Sequence, residues 1–200
     1  MPSKPMLSEE DKAEIRKRLK ALCEGRWIAR GYKRTSVKEL CAAAGISIGT
    51  FYVLYPAKED LFLETIRDIQ ERLKEQVLET NGRERSRGGF ARALKELYRE
   101  YAAKPFLYNV GTPDFRSFAA KLPEEAARQI KLDSFAFFRQ AVQAAGLRLR
   151  QEESLAYGAL SALLSTVSAR EALSAACDPS AVFGHMAEVL MENLFEEEPV

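Results

Sequence analysis

The chain reads as an all-α protein, with a small N-terminal domain of three helices and a larger C-terminal helical domain. Three observations carry that reading. Apolar residues recur at helical spacing along nearly all of the 200 residues, the period of helices that bury one face. No stretch joins sustained apolar–polar alternation to a turn pair and a second strand. Start and stop residues punctuate the first third at close intervals, Ser8, Ser36 and Ser47 as caps and Gly31, Gly45 and Pro56 as stops.

The first helix begins at Ser8, whose hydroxyl can accept backbone amides while Glu9, Glu10 and Asp11 sit at the positive helix end. It carries an inward stripe of Ile15, Leu19, Leu22, Cys23 and Trp27 and stops at Gly31. Ser36-Val37-Lys38-Glu39 has the spacing of a capping box and opens a short helix that closes at Gly45. Ser47 caps a third helix, which ends near Tyr55 because Pro56 lacks an amide hydrogen and pushes its predecessor off helical angles. A long fourth helix spans about Ala57 to Thr80, with Leu61, Phe62, Ile66, Ile69, Leu73 and Val77 inward. Asn81-Gly82 ends it, and the polar Gly82–Gly89 stretch is either a boundary or a tight loop. Further helices are expected near 89–104, 113–121, 123–145, 151–176 and 179–196, giving domains over 8–56 and 57–200.

Composition narrows the classes of function. With 46% apolar and 30% charged residues the chain can bury a core, which excludes disorder, collagen and a disulfide mini-scaffold. The longest uncharged run, Ser154–Ala169, is too short and too rich in hydroxyls for a membrane span. Met1–Leu7 has no apolar signal core, and Cys23, Cys41 and Cys177 are odd in number and far apart, so a cytoplasmic protein with reduced thiols is expected. A single histidine, His185, and the lack of a nucleophile–base pair or zinc spacing argue against an enzyme, a metal or a cofactor.

Charge is uneven. Ile15–Lys58 holds ten Lys or Arg against two acids, a balance of +8 that leaves −7 for the rest of a chain whose net charge is +1. A basic lobe coinciding with a pair of short helices is the electrostatic footprint of phosphate binding, although a solvated charged face gives the same count. Helical geometry turns Phe51 inward, toward Val37, Leu40 and Trp27, and leaves Ile48, Gly49, Thr50 and Tyr52 outward. A short helix of that shape can enter a major groove, with Tyr52 and Lys58 on flanking phosphates.

At these positions the chain resembles the TetR family of transcription regulators. Gly31-Tyr32, Thr35-Ser36-Val37, Leu40, Ala44-Gly45-Ile46-Ser47, Gly49-Thr50-Phe51-Tyr52 and Pro56-Ala57-Lys58-Glu59-Asp60-Leu61 follow that family's N-terminal pattern in order and spacing. The resemblance covers about residues 15–62 and implies a helix-turn-helix DNA-binding domain joined to a ligand-binding and dimerisation domain. It further implies that Thr35 and Lys58 contact phosphate, that Ser47, Ile48, Gly49 and Thr50 face the groove, and that Tyr52 donates its hydroxyl to the DNA backbone. The chain departs from the pattern at Leu54, where many members carry histidine or another polar residue, at Tyr55, more often phenylalanine, and at Ile48, where lysine is frequent.

Useful affinity calls for two reading helices about 34 Å apart on a palindrome, hence a homodimer. Ser154–Cys177, in which leucines are interspersed with small residues, is expected to be a helix buried all round. Leu160, Leu164, Val167, Met186, Val189 and Leu190 are the expected interface, which the resemblance implies is a four-helix bundle of the last two helices with their mates. Tyr101, Phe106, Tyr108, Phe115, Phe118, Phe135 and Phe138 are the expected lining of a pocket for an apolar or aromatic small molecule, with Asn109 or His185 as polar contacts. The function expected is a ligand-responsive repressor that binds palindromic operator DNA, in which a ligand tilts the fourth helix and so opposes DNA binding. The alternative is a helical small-molecule-binding protein that binds no DNA.

Overall fold

The structure is a computed structural model, and it describes residues 7–108, 111–126 and 134–196. Among these residues the secondary structure is helical apart from one isolated bridge, Leu149 to Phe195. The helices are α1 (Glu9–Arg30), α2 (Val37–Ala44), α3 (Ile48–Leu54), α4 (Lys58–Arg83), α5 (Arg87–Ala103), α6 (Pro113–Ala119), α7 (Ser134–Ala145), α8 (Glu153–Ser165), α9 (Arg170–Leu173) and α10 (Pro179–Leu194). Short 3₁₀ turns cover Pro105–Leu107 and Thr166–Ala169. No single described helix is long and apolar enough to cross a membrane.

The chain divides into two compact units, residues 1–69 with 110–130 and residues 70–109 with 131–200. The first unit therefore takes in more than the expected 8–56 domain, because the start of α4 and all of α6 pack with it. In its core Trp27, Phe62 and Phe118 meet with ring centroids 4.7–6.1 Å apart, and Tyr32 lies edge-on to Phe62 at 5.1 Å. Leu19, Leu40, Phe51 and Leu61 fill the rest with no exposed surface.

Local signals set the first three helices. The Ser8 hydroxyl accepts the Asp11 amide and the Asp11 carboxylate accepts the Ser8 amide. The same reciprocal box joins Ser36 and Glu39 at the start of α2. Gly45 closes α2 at φ 68°, ψ 32°, the left-handed conformation that a side chain disfavours. The turn Gly45–Ser47 bends α2 into α3 at 101°, within the range of a helix-turn-helix pair.

In the second unit α10 packs along α5, with Tyr98 stacked on Phe183 at 4.1 Å and Phe90 beside Phe195 at 5.4 Å. The fully buried Asn81 donates to the Ala141 carbonyl at 3.1 Å and ties α4 to α7. That helix does not end at Asn81-Gly82 but runs on to Arg83, so the polar Gly82–Gly89 stretch shrinks to a short connection. Of the helix expected over 123–145, residues 124–126 and 134–145 are helical, and 127–133 lie outside the described residues.

The helix expected over 151–176 is not continuous. Ser165, Thr166 and Ser168 turn their hydroxyls back onto the carbonyls of Ala162, Leu163 and Ser165, bonds that compete with the helical ladder. The chain tightens there into the 3₁₀ turn before α9. Nor is α8 buried all round in the single chain: Leu155, Gly158 and Ala162 are exposed.

Candidate functional site

The reading helix α3 is built by three ties. Ser47 Oγ accepts the Thr50 amide at 3.0 Å and lies 2.9 Å from the Thr50 hydroxyl. At the other end the Tyr55 amide donates to the Phe51 carbonyl, and Arg16 of α1 donates to the Leu54 carbonyl at 3.0 Å. Phe51 and Leu54 are buried beneath it. Residues 48, 49, 52 and 53 then share an arc of about 140° on the opposite side, at about 100° per residue. The structure exposes that arc: Ile48 by 47%, Tyr52 by 51% and Val53 by 69%, with Gly49 also open. Ser47 is exposed at the N-terminal end of the helix, and Thr50 is half-buried outside that arc.

The basic residues divide into two groups. Arg18 donates to the Ala44 carbonyl at 3.0 Å, Arg16 to that of Leu54, and Lys58 to that of Tyr32 at 2.6 Å. Each neutralises carbonyls left open where a helix or turn ends. Arg16 and Lys20 also pair with Glu64, and Lys20 with Asp68. By contrast the side chains of Lys17, Lys33, Arg34 and Lys38 are exposed and have no hydrogen-bond or ion partner among the described residues.

Two of the expected phosphate contacts have partners within the protomer. Thr35 is 1% exposed, and its hydroxyl already donates to the Gly31 carbonyl at 2.8 Å, so it is not a free donor at the surface. The Lys58 ammonium, besides its bond to the Tyr32 carbonyl, sits 3.9 Å from the Tyr32 ring centroid and 5.2 Å from that of Phe62. Burial lowers its pKa from the usual lysine value. It braces the α1–α2 turn through the Tyr32 carbonyl. The Lys58 role does not show in the local sequence, because its partner is a backbone carbonyl 26 residues away.

Sequence reasoning missed Asp114. Gly31 ends α1 at φ 81°, ψ 171°, a backbone region open almost only to glycine. A side chain there would also meet the Asp114 carboxylate at 2.9 Å. That carboxylate accepts the Tyr32 amide at 2.7 Å and the Lys33 amide at 3.0 Å. The turn that leads into the helix pair is thus held from α6, 82 residues away. Glu59 adds a second clamp by accepting the Tyr32 hydroxyl and the Lys121 ammonium. Burial alone would raise the Glu59 carboxyl, but those partners and a backbone amide outweigh it and hold its pKa below the usual carboxylate value.

The expected pocket residues separate in the same way. Phe115 and Phe118 belong to the first unit, where Phe118 has no exposed surface against Trp27, Tyr32 and Phe62. They are core residues of the headpiece, not pocket walls. Tyr101 and Phe138 do line a cavity of about 110 Å³ in the second unit, together with Val77, Phe90, Leu94, Phe137, Tyr157 and Leu160. Phe135 packs behind it against Phe138 and Tyr157, Tyr108 stacks on Tyr101, and Phe106 is buried nearby in sequence. Burial raises the pKa of the Tyr101 phenol. The Ser134 and Tyr157 hydroxyls, 2.8 Å apart, add polar groups. Asn109 lies outside the described residues, and His185 is exposed on α10, away from the cavity lining. Among the described residues no cluster of His, Cys, Asp or Glu could hold a metal ion.

The expected interface residues also split. Met186 and Val189 are exposed by 42% and 43%, and Leu164 and Leu190 are half-buried. Leu160 and Val167 are buried within the protomer, because the break after Ser165 and the helical period turn them onto the core. Leu155 and Val182 join Met186 and Val189 on the exposed faces of α8 and α10.

A three-helix headpiece with an exposed short helix set at right angles to its neighbour defines a helix-turn-helix protein. Residues 27–65 match the family described as bacterial regulatory proteins, tetR family. That match covers the headpiece segment alone, and the all-α architecture of the chain agrees with solved structures. A TetR-family transcription regulator from Marinobacter aquaeolei VT8 is 17% identical, covering 95% of this chain and 100% of its own, at a TM-score of 0.64. FadR from Bacillus subtilis, in complex with stearoyl-CoA, is 16% identical over 88% of this chain and 97% of its own, at 0.63. Thermus thermophilus FadR, a TetR-family transcriptional repressor in complex with lauroyl-CoA, is 21% identical over 92% and 97%, at 0.55. At these identities the likeness is one of fold. No curated protein matches the chain in sequence.

Proposed function

We propose that the protein is a homodimeric transcriptional repressor that binds palindromic duplex DNA through α3 and releases it when a small molecule occupies the second unit. The observation that carries this reading is the exposed arc of Ile48, Gly49, Tyr52 and Val53 on a capped short helix, inside the +8 segment. Lys17, Lys33, Arg34 and Lys38, whose side chains are exposed and have no partner among the described residues, are the proposed phosphate contacts in place of Thr35 and Lys58. Tyr52 adds a hydroxyl from the exposed arc.

Dimerisation rests on Leu155, Val182, Met186 and Val189, with the small exposed Gly158 and Ala162 that allow close helix approach. Exposed apolar side chains grouped on two helices fit an association site. A twofold dimer presents its reading helices to two half-sites about 34–36 Å apart.

The effector is proposed to be apolar or aromatic, matching the cavity lined by Tyr101, Phe137, Phe138 and Tyr157. At about 110 Å³ the cavity is smaller than the ~300–1,000 Å³ of most ligand sites. A larger molecule, such as the acyl-CoA held by the two FadR proteins, would need it to open. Helix α4 runs through both units and offers a continuous element for coupling. A coupling of about 1–3 kcal/mol would change DNA affinity appreciably and, by reciprocity, effector affinity by the same factor.

Mobility-shift titration of the full chain against upstream duplexes of neighbouring genes tests the reading. Arg34→Ala is expected to weaken binding to all sequences and to flatten the salt slope by about one unit. Met186→Glu is expected to yield monomers in sedimentation. Absence of duplex binding even at low salt would refute the regulator and leave a ligand-binding helical protein.

A further inference from the structure

From Cys41 to Ala57 the chain contains no charged residue and no Asn, Gln or His, although the segment lies inside the strongly basic lobe. The whole of α3 and the turn before it fall in this window. Hydrogen-bonded base reading in the major groove draws mainly on Arg or Lys for guanine, Asn or Gln for adenine, and Asp or Glu for cytosine. None of these is available on α3. Of its two small hydroxyls one donates to the other at 2.9 Å, and Ser47 Oγ also accepts the Thr50 amide, which leaves one hydroxyl donor between them.

The remaining surface is Ile48, Gly49, Tyr52 and Val53, with Ile48 and Tyr52 about 40° apart on the helix and Gly49 adding no bulk between its neighbours. Branched aliphatic side chains exposed by 47% and 69% are unusual on a helix whose outer arc no described residue covers. The major groove presents one apolar group, the C5-methyl of thymine. An apolar helix preceded in sequence by the exposed cations Lys33, Arg34 and Lys38, whose side chains have no partner among the described residues, is complementary to that groove: methyls toward the helix, phosphates toward the cations.

We infer that this protein reads its half-sites through thymine methyl groups packed against Ile48 and Val53, so that A·T pairs replace guanine as the specifying bases under α3. This rests on the DNA-binding reading above and adds to it the chemistry of specificity. An apolar protein partner on the same face is the competing occupant, and the exposed cations that precede it in sequence favour duplex DNA.

The test selects duplexes from a randomised library with the full chain and then replaces thymine by deoxyuridine at each enriched position. Enriched A·T pairs, and binding about fourfold weaker for each methyl lost beneath α3 (about 0.8 kcal/mol), support the inference. Ile48→Ala, which leaves the fold intact because the side chain is exposed, is expected to bind thymine and deoxyuridine duplexes equally at its own position. Ile48→Val, which removes one methylene, keeps part of the difference and serves if the alanine variant binds too weakly to measure. Enrichment of G·C pairs with no deoxyuridine effect, or a deoxyuridine effect unchanged in both Ile48 variants, overturns the inference while leaving DNA binding intact. Failure to enrich any duplex overturns both readings.

Discussion

Asp114→Ala removes a carboxylate that holds a turn it does not adjoin in sequence, and the structure sets the size of the effect. The Tyr32 amide, at 2.7 Å, belongs to a residue that is 2% exposed and loses its acceptor without gaining water. A hydrogen bond to a charged group contributes about 1.5–3 kcal/mol. The Lys33 amide, at 3.0 Å, is on an exposed residue and can turn to solvent, so its loss adds little. Asp114 also stands in the first turn of α6, where a negative side chain contributes about 0.3–1 kcal/mol against the helix dipole. The expected loss is about 3 kcal/mol, or roughly 6–12 °C in melting temperature for a chain of this length. Asp114→Asn keeps one acceptor oxygen and should lose about half as much. Thermal melting followed by circular dichroism gives the stability, and amide exchange at Tyr32 and Lys33 localises it. A melting temperature within about 2 °C of the parent, with both amides still protected, would refute the clamp.

Two further expectations follow from the buried groups. Cys23 is fully buried and burial pushes its thiol up to about 12, while Cys41 is 2% exposed with its pKa also raised by burial. One thiol, the exposed Cys177, should therefore react with a disulfide reagent at pH 8, the other two only after unfolding; fast reaction of all three would contradict the packed headpiece. Glu59 has a folded-state pKa below its ordinary value, so its contribution to stability is present above the unfolded pKa of about 4.3 and fades as pH falls through the lower folded value. Denaturant titrations of Glu59→Gln and the parent should differ most at pH 7 and converge toward pH 3; a gap that widens in acid would reverse the sign of that linkage.

The start and end of each of the first three helices were legible in the chain alone. The caps at Ser8 and Ser47, the capping box at Ser36, the glycines at 31 and 45 and the break at Pro56 all act over four residues or fewer, so the sequence contains both partners of each bond. The inward turn of Phe51 and the exposure of Ile48 and Tyr52 follow from the same short-range period. Ser165, Thr166 and Ser168 mark the opposite case, where hydroxyls redirected to nearby carbonyls broke a helix that the apolar pattern continued.

Tertiary structure decided what each long side chain faces. Phe118 and Phe138 are interchangeable as aromatic core residues in a sequence, yet one fills the headpiece and the other lines the cavity of the second unit. Lys58 looks like a surface donor until folding brings the carbonyl of Tyr32 within reach. Asp114 carries no motif at all, and its role exists only because α6 packs with α1 in the first unit. A local hydrogen bond is specified by its own few residues, whereas a distant contact depends on which surfaces the whole chain buries, and many side chains can satisfy that demand equally well.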